Sequence, residues 1–236
     1  MTRIVVSQPM FFPWSGIFDQ VRLADIFVHY DDVALPQGRS FMSRVQIKTH
    51  AGSDWLTAPI MRDAKLIAGV ALDNSQRWRA KHINTLRHVY AEAPFAKDMM
   101  ALVEDIYSAN HTLLADLNIA AIEGVAARLG LAPKFLRSSS MDVGSSSTQK
   151  LIEICTRLGG KTYITGHGAR NYLDHELFEK NGIAVEYMSY ALAPYPQLHG
   201  PFTPYVSMLD PLANLGGGAR EILTSKTVSW REFTHD

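Results

Sequence analysis

The chain has 236 residues, with 23 basic and 23 acidic side chains, so it carries no formal net charge. Apolar residues make up 47% and charged residues 19% of the chain, which is typical of a folded globular protein and excludes a disordered one. Neutrality argues against a nucleic-acid-binding protein, because phosphate binding requires surplus lysine and arginine. The single cysteine, Cys155, excludes a disulfide framework and a cysteine-based zinc site, and it fits a reducing cytoplasm.

No stretch suggests export or insertion into a membrane. The N-terminal sequence has no long apolar run before Pro9, and no later run approaches the roughly 18 apolar residues that a membrane span needs. We therefore expect a cytoplasmic protein without a membrane span, a secretion signal or a nucleic-acid partner. The sequence leaves its oligomeric state open.

The N-terminal third predicts a βαβ unit and then a hairpin. Residues 4–6 form a β-branched run, residues 14–23 have helical apolar spacing, and residues 26–28 form a second apolar run, so the two strands should be parallel. Residues 45–48 and 55–58 are extended segments separated by a turn-forming cluster, which predicts an antiparallel hairpin outside the sheet.

The rest of the chain predicts helices and then further strands. Residues 74–130 form a helical insertion with three helices, where Asn74 or Ser75 caps the first, Pro94 begins the second, and Asn110 and Gly130 bound the third. Strands follow at 162–165 and 183–187, separated by a helix over 169–180; the second is taken as the last strand. The tail after residue 190 should hold two short helices. We expect one α/β domain over residues 1–236, with a Rossmann-like, mostly parallel sheet and helices on both faces.

Ligands of open parallel sheets bind beyond the carboxyl ends of the strands, and this rule selects candidate site residues. They are Gln8 and Trp14 after the first strand, Asp31 and Asp32 after the second, Ser147 at a helix start, and Gly166, His167, Gly168 and Arg170 after the strand at 162–165. The two glycines allow close backbone approach to an anion, or they form an ordinary strand-to-helix turn. Ser147 caps its helix or contacts a ligand. Gln8 ends a buried strand, so its amide needs hydrogen-bond partners, which a ligand can supply.

The charged candidates each have two interpretations. Asp31 and Asp32 could hold Mg²⁺ or an amine, or they could end the strand and pair with Arg44 or Lys48. Arg44 and Lys48 lie four apart in a predicted strand and so share a face, which suits a phosphate or carboxylate, or plain solvent. The chain has no HExxH, CxxC or GxSxG sequence, which argues against zinc chemistry and the commonest hydrolase nucleophile.

Several motifs together resemble the WbqC-like protein family. They are Gln8-Pro9, Pro13-Trp14-x-Gly16-x-Phe18, Ala24-Asp25-x-Phe27-Val28-x-x-Asp31-Asp32, Arg44-Val45-Gln46-Ile47-Lys48, Trp55-Leu56-Thr57, Tyr163-Ile164-x-Gly166, Tyr172-Leu173, Pro196-Gln197 and Ser207-Met208-Leu209-Asp210. The resemblance implies a role in bacterial O-antigen or other surface-polysaccharide synthesis, and a glycine transferase has been suggested for the family. It adds Tyr172 to the substrate-binding candidates, and the aromatic, amide-rich tail that holds Gln197, Ser207 and Asp210 suits a sugar. Asp210 could equally cap a helix.

The sequence therefore predicts a transferase that attaches a glycyl, aminoacyl or similar small group to an amino sugar. Asp32 would be the base or orient the amine, with Asp31 and His167 as further catalytic candidates. One alternative is a non-catalytic protein that binds a sugar nucleotide or metabolite. Another is an ATP-dependent, nucleotidyltransferase-like amide-forming enzyme, although the HxGH histidines of such enzymes are missing here. The cofactor is unknown, ATP with Mg²⁺ being possible.

Overall fold

A computed structural model describes residues 1–38 and 40–235 of the chain, with side chains described up to residue 233. The strands are β1 (Arg3–Ser7), β2 (Ile26–His29), β3 (Arg44–Thr49), β4 (Gly52–Thr57), β5 (Lys134–Arg137), β6 (Thr162–Thr165), β7 (Ala184–Ser189) and β8 (Lys226–Ser229). The α-helices are α1 (Ser15–Leu23), α2 (Trp78–Val89), α3 (Ala96–Ser108), α4 (Leu114–Arg128), α5 (Ser147–Arg157), α6 (His175–Lys180), α7 (Leu209–Leu215) and α8 (Trp230–His235). Short 3-10 helices lie at Ile67–Gly69, Ser138–Ser140, His167–Asn171 and Gly216–Ile222.

The main sheet has six strands in the order β5-β2-β1-β6-β7-β8. All neighbouring pairs are parallel except β7 with β8. The chain thus builds the sheet outwards from β1 in one direction through β2 and β5, and then crosses to β6 on the other side of β1. This order confirms the Rossmann-like fold, and it places a topological switch point between β1 and β6.

The two faces of the sheet have separate apolar cores, because side chains alternate along each strand. Val5 points into a core that contains apolar residues of α1 and α4. Its neighbours Ile4 and Val6 point to the opposite core, formed with α5 and α6. Cys155 of α5 is fully buried in this second core. Helices therefore cover both faces of the sheet.

The hairpin β3–β4 forms a separate two-stranded antiparallel sheet, in agreement with the sequence prediction. The three predicted helices between residues 74 and 130 are α2, α3 and α4. Gly130 follows the last of them with φ of 64°, a conformation that favours glycine at a helix end. The predicted caps are wrong at the other ends: α2 starts after Arg77 and α4 after Leu113, and Asn110 instead ends α3 with φ of 49°.

Two further predictions need correction. The strand at 184–189 is not the last one, because β8 pairs antiparallel with it at the edge of the sheet. The segment 169–180 is not one helix. A 3-10 turn follows β6, and α6 begins separately after Asp174, whose Oδ1 accepts the N–H of Leu177 at 2.9 Å as an N-terminal cap. In the described part of the chain, no helix is both long and apolar enough to cross a membrane.

Candidate functional site

A cleft of about 700 Å³ opens at the carboxyl ends of β1 and β6. This is the switch point of the sheet. The strands that follow β1 in the chain, β2 and β5, lie on one side of it, and β6 and β7 lie on the other. The end of β1 contributes Val6, Ser7 and Gln8, and the turn after β6 contributes residues 165–169. The fold thus brings residues of the N-terminal motif and residues of the turn after β6 together at one cavity.

One wall of the cleft is aromatic. The Trp14 indole lies 4.9 Å from the ring of Tyr190 and 5.3 Å from that of Tyr205, centroid to centroid. Gly16 makes this position possible, because a Cβ there would lie 2.3 Å from Cη2 of Trp14. The Trp14-x-Gly16 spacing is therefore a packing requirement: the glycine leaves room for the indole that forms the cleft wall.

Three more tyrosines, Tyr30, Tyr163 and Tyr172, line the cleft. Burial, and then the charges of Asp32 and Tyr172, raise the pKa of Tyr30 to about 12. Burial raises the pKa of Tyr190 to about 12, although the hydrogen bond from Gln20 opposes this. These two phenols stay protonated at neutral pH, so they serve the cleft as neutral hydrogen-bonding groups.

Gln20 and Tyr190 form a polar contact below the 166–168 turn. Gln20 Nε2 donates to Tyr190 Oη at 2.9 Å. A Cβ at Gly166 would lie 3.1 Å from that oxygen and 3.6 Å from Gln20 Nε2. Gly166 thus allows the turn to approach this pair closely, whereas Gly168 has no atom within 4 Å of a built Cβ and faces open space.

The side chain of Gln8 lines the cleft and has no hydrogen-bond partner among the described residues. An amide carries two donors and an acceptor with two lone pairs. The sequence argument that this amide needs partners therefore agrees with its position, where a ligand can reach it.

His167 is held in one tautomer by the backbone. Its Nε2 lies 2.7 Å from the carbonyl oxygen of Met188, and a carbonyl can only accept, so Nε2 carries the hydrogen. Its ring packs between Tyr190 and Phe233, with centroids 5.1 and 4.8 Å away. When the ring is neutral, Nδ1 holds a lone pair. Among the described residues that line the cleft there is no Asp, Glu, Lys or Arg, so His167 is the basic group in its lining.

The two predicted catalytic aspartates lie outside the lining of the cleft. Asp31 is fully buried and accepts hydrogen bonds from Arg137 Nε at 2.9 Å and from the Ser139 N–H at 3.0 Å. Burial alone would raise its pKa, but the hydrogen bonds from Ser139 and Arg137 outweigh it, so the pKa is lowered and the carboxylate is ionised. This donor set of cations and hydroxyls does not fit a Mg²⁺ site.

Asp32 is likewise held by polar partners outside the lining of the cleft. Its Oδ2 is 2.7 Å from Lys150 Nζ, and its Oδ1 accepts from Ser138 Oγ at 2.5 Å. The ammonium of Lys150 in turn lies 5.5 Å from the Tyr30 ring centroid. The aspartates therefore pair with Arg137 and Lys150 instead of Arg44 or Lys48.

Arg44 and Lys48 also lie outside the cleft lining. The guanidinium of Arg44 stacks on Trp55 of the neighbouring strand, 3.7 Å from the ring centroid. Lys48 is 3% exposed, and its Nζ donates to the carbonyl oxygens of Gly200 and Pro201 at 2.8 and 2.6 Å. Because backbone carbonyls occupy this ammonium, it anchors the tail segment and is not free to bind an anion.

The three predicted tail residues form internal contacts. Gln197 accepts from Lys48 Nζ at 3.2 Å, and Ser207 donates to the Phe12 carbonyl at 2.8 Å. Asp210 accepts from Tyr195 Oη at 2.7 Å and from Tyr90 Oη at 3.0 Å. These side chains fasten the tail to the N-terminal loop and the hairpin.

Of the remaining predicted residues, three line the cleft and two do not. Tyr172 lines the cleft, as do Gly166 and Gly168. Ser147 is exposed at the start of α5, where its φ is 53°, and Arg170 contacts Phe233 at 5.6 Å; neither lines the cleft.

Several residues of the cleft were not predicted, namely Gln20, Tyr30, Tyr163, Thr165 and Tyr190. Tyr30 and Thr165 sit at the ends of β2 and β6, so the strand-end rule could have found them. Gln20 and Tyr190 meet across 170 residues of sequence, which no local pattern indicates. No group of three or more His, Cys, Asp or Glu side chains in the described ranges is arranged to hold a metal ion.

Fold and cleft together define a Rossmann-like protein with an aromatic cleft at its switch point, whose described lining has no Asp, Glu, Lys or Arg. The profile of the WbqC-like protein family matches residues 8–222, and the chain belongs to this family. It is also 29% identical over 228 residues to the uncharacterized protein Rv1507c of Mycobacterium tuberculosis, covering 94% of this chain and 98% of that protein. No solved structure matches the chain.

Proposed function

We propose that this protein transfers a glycyl, other aminoacyl or similarly small acyl group to the amine of an amino sugar in the synthesis of a bacterial surface glycan such as O-antigen. The observation that carries the proposal is the unpartnered Gln8 amide in a cleft walled by Trp14 and tyrosines. Sugars present flat apolar faces and a rim of hydroxyls, which aromatic rings and amides recognise.

His167 is the group best placed to act as the base. An amine must lose a proton as it attacks an acyl carbon, and the lone pair on Nδ1 of His167 can accept that proton. The amine nitrogen bonds to the acyl carbon of an activated ester or thioester, and the bond from that carbon to the leaving oxygen or sulfur breaks. The imidazolium then returns the proton to the leaving group. Asp32 is less suited to this role, because its carboxylate pairs with Lys150 and it does not line the cleft.

The test is product formation by the purified protein. Amino-sugar nucleotides serve as acceptors, and the donors are glycine with ATP and Mg²⁺, a glycyl thioester and glycyl-tRNA, with the N-acylated sugar detected by mass spectrometry. His167→Gln should lower the rate about 10²- to 10⁴-fold while acceptor binding is retained. His50→Gln, at an exposed hairpin turn, is the control and should keep the full rate. Full activity of His167→Gln would remove this residue as the base.

A second function, binding of a sugar nucleotide without turnover, is favoured by one observation. The described cleft lining has no carboxylate, lysine or arginine, so apart from a protonated His167 it offers no ionised side chain to stabilise charge that develops during transfer. Acceptor binding with no product from any of the three donors would support this second function and contradict the first.

A further inference from the structure

A second groove lies where the hairpin β3–β4 meets the start of α2. It consists of two cavities of about 630 and 360 Å³, which share Trp55, Thr57 and Pro59. We call these two cavities the hairpin groove. No residue lines both the hairpin groove and the cleft at the switch point.

The hairpin groove concentrates positive charge. Arg77 and Lys81 line the larger cavity, and Arg44 and Arg62 line the smaller one. None of these four cations is within ion-pair distance of a carboxylate among the described residues.

Asp54 is the acidic residue of the lining, and its Oδ1 accepts the N–H of Trp55 at 2.7 Å. Four cations therefore face one anion in a chain that is neutral as a whole. The lining of the hairpin groove thus carries net positive charge, and such a surface attracts anionic groups.

The hairpin groove also has aromatic walls. Trp55 is half-buried between the two cavities, with the Arg44 guanidinium over its ring. Phe41, which is 53% exposed, lies 6.0 Å from the Trp55 ring. Trp78 lines the larger cavity, and its buried Nε1–H has no hydrogen-bond partner in the described residues. Flat rings beside unpaired cations suit a ligand that combines rings with negative charges.

We propose that the hairpin groove binds an acidic saccharide, with its carboxylate or phosphate groups on Arg44, Arg77 and Lys81 and its rings packed beside the stacked Arg44 and Trp55 side chains. Arginine and lysine form charge-assisted hydrogen bonds with both kinds of anion, and sugar rings pack on indole. The two cavities share Trp55, Thr57 and Pro59 and are therefore adjacent, so an oligosaccharide with charges on successive units is the ligand that would extend from one pair of cations to the other. This site stands apart from the proposed transfer reaction, since it uses other residues.

Calorimetric titration of the whole protein tests the proposal. The probes are hexagalacturonate for carboxylates, glucose 6-phosphate for phosphate esters, a neutral dextran oligosaccharide and polyglutamate. Hexagalacturonate or the phosphate ester should bind more tightly than dextran and polyglutamate, and added salt should weaken binding by screening. The double variant Arg77→Gln/Lys81→Gln should bind at least about tenfold more weakly, as expected for the loss of charge-assisted contacts.

The control is Arg87→Gln. Arg87 is on the same helix, does not line the hairpin groove, and pairs with Glu104 at 2.7 Å. It should bind like the unaltered protein. His167→Gln should also bind normally, which separates this site from the transfer reaction. Equal binding of polyglutamate, unaltered binding by the double variant, or no binding of either acidic saccharide would each overturn the proposal.

Discussion

The indole of Trp14 occupies the space that a side chain on Gly16 would need, and this exclusion gives the cleft its aromatic wall. The same logic applies at Gly166, where the absent Cβ lets the turn approach Tyr190. At the residue scale, the site therefore depends on where side chains are missing as much as on where they are present.

Gly16→Ala should displace the indole of Trp14 and destabilise the protein by about 1–3 kcal/mol, the usual cost of overpacking. The gain in helix propensity from alanine is smaller, at most about 1 kcal/mol. The near-ultraviolet circular dichroism of tryptophan and chemical denaturation measure the two effects. Gly168→Ala is the matched control, because its Cβ would meet nothing within 4 Å. Equal behaviour of the two variants would contradict this role of Gly16.

The strand-end rule located Gln8, Trp14 and the 166–168 turn from sequence, because it concerns where the backbone leaves the sheet. It could not give the direction of the Asp31 side chain. That carboxylate turns towards Arg137 and Ser139, which are its neighbours only because β5 pairs with β2. Because the sequence did not indicate a strand at β5, it could not indicate that Arg137 and Ser139 are the partners of Asp31.

At the element scale, local sequence patterns predicted the hairpin and the parallel strands. They did not predict the pairing of β8 with β7. β8 has four residues and joins the sheet by pairing with β7, about forty residues earlier in the chain. The packing of α2 is equally non-local. His82 of α2 is 5% exposed, and its Nδ1 lies 3.0 Å from Tyr107 Oη on α3.

The burial of His82 predicts acid sensitivity of this packing. Burial lowers the pKa of His82 to about 4 from its ordinary value of 6.5, while a hydrogen bond to the Thr57 backbone opposes the shift. Between these values the unfolded chain binds a proton that the folded chain does not. The contribution of His82 to stability is therefore complete above pH 6.5 and is lost as the pH falls towards 4, by about 3 kcal/mol in total.

Denaturation of the unaltered protein and of His82→Leu across this pH range measures the effect. The variant should be less stable at pH 7, because Tyr107 loses its partner, but its stability should fall less steeply with acid. His88→Gln, on the exposed side of the same helix, should keep the original slope. Parallel curves for His82→Leu and the unaltered protein would show that His82 is not the source of the slope.

At the scale of the whole molecule, a chain of zero formal net charge has two candidate binding surfaces that differ in charge. The cleft at the switch point presents aromatic rings, hydroxyls and amides, and the hairpin groove presents cations. Net charge calculated from the sequence averages over this separation and cannot show it. The Rossmann-like, mostly parallel sheet, in contrast, was predictable from the alternation of strands and helices along the chain.

A crystal structure of the protein with a bound 2-amino sugar tests the central claim most directly. We expect the sugar ring in the cleft, packed against Trp14 or Tyr205, with a hydroxyl on the Gln8 amide and the amine facing Nδ1 of His167. Trp14→Ala crystals soaked in the same way should show an empty cleft. Occupancy of the hairpin groove alone, or a sugar that leaves Gln8 and His167 untouched, would contradict the account.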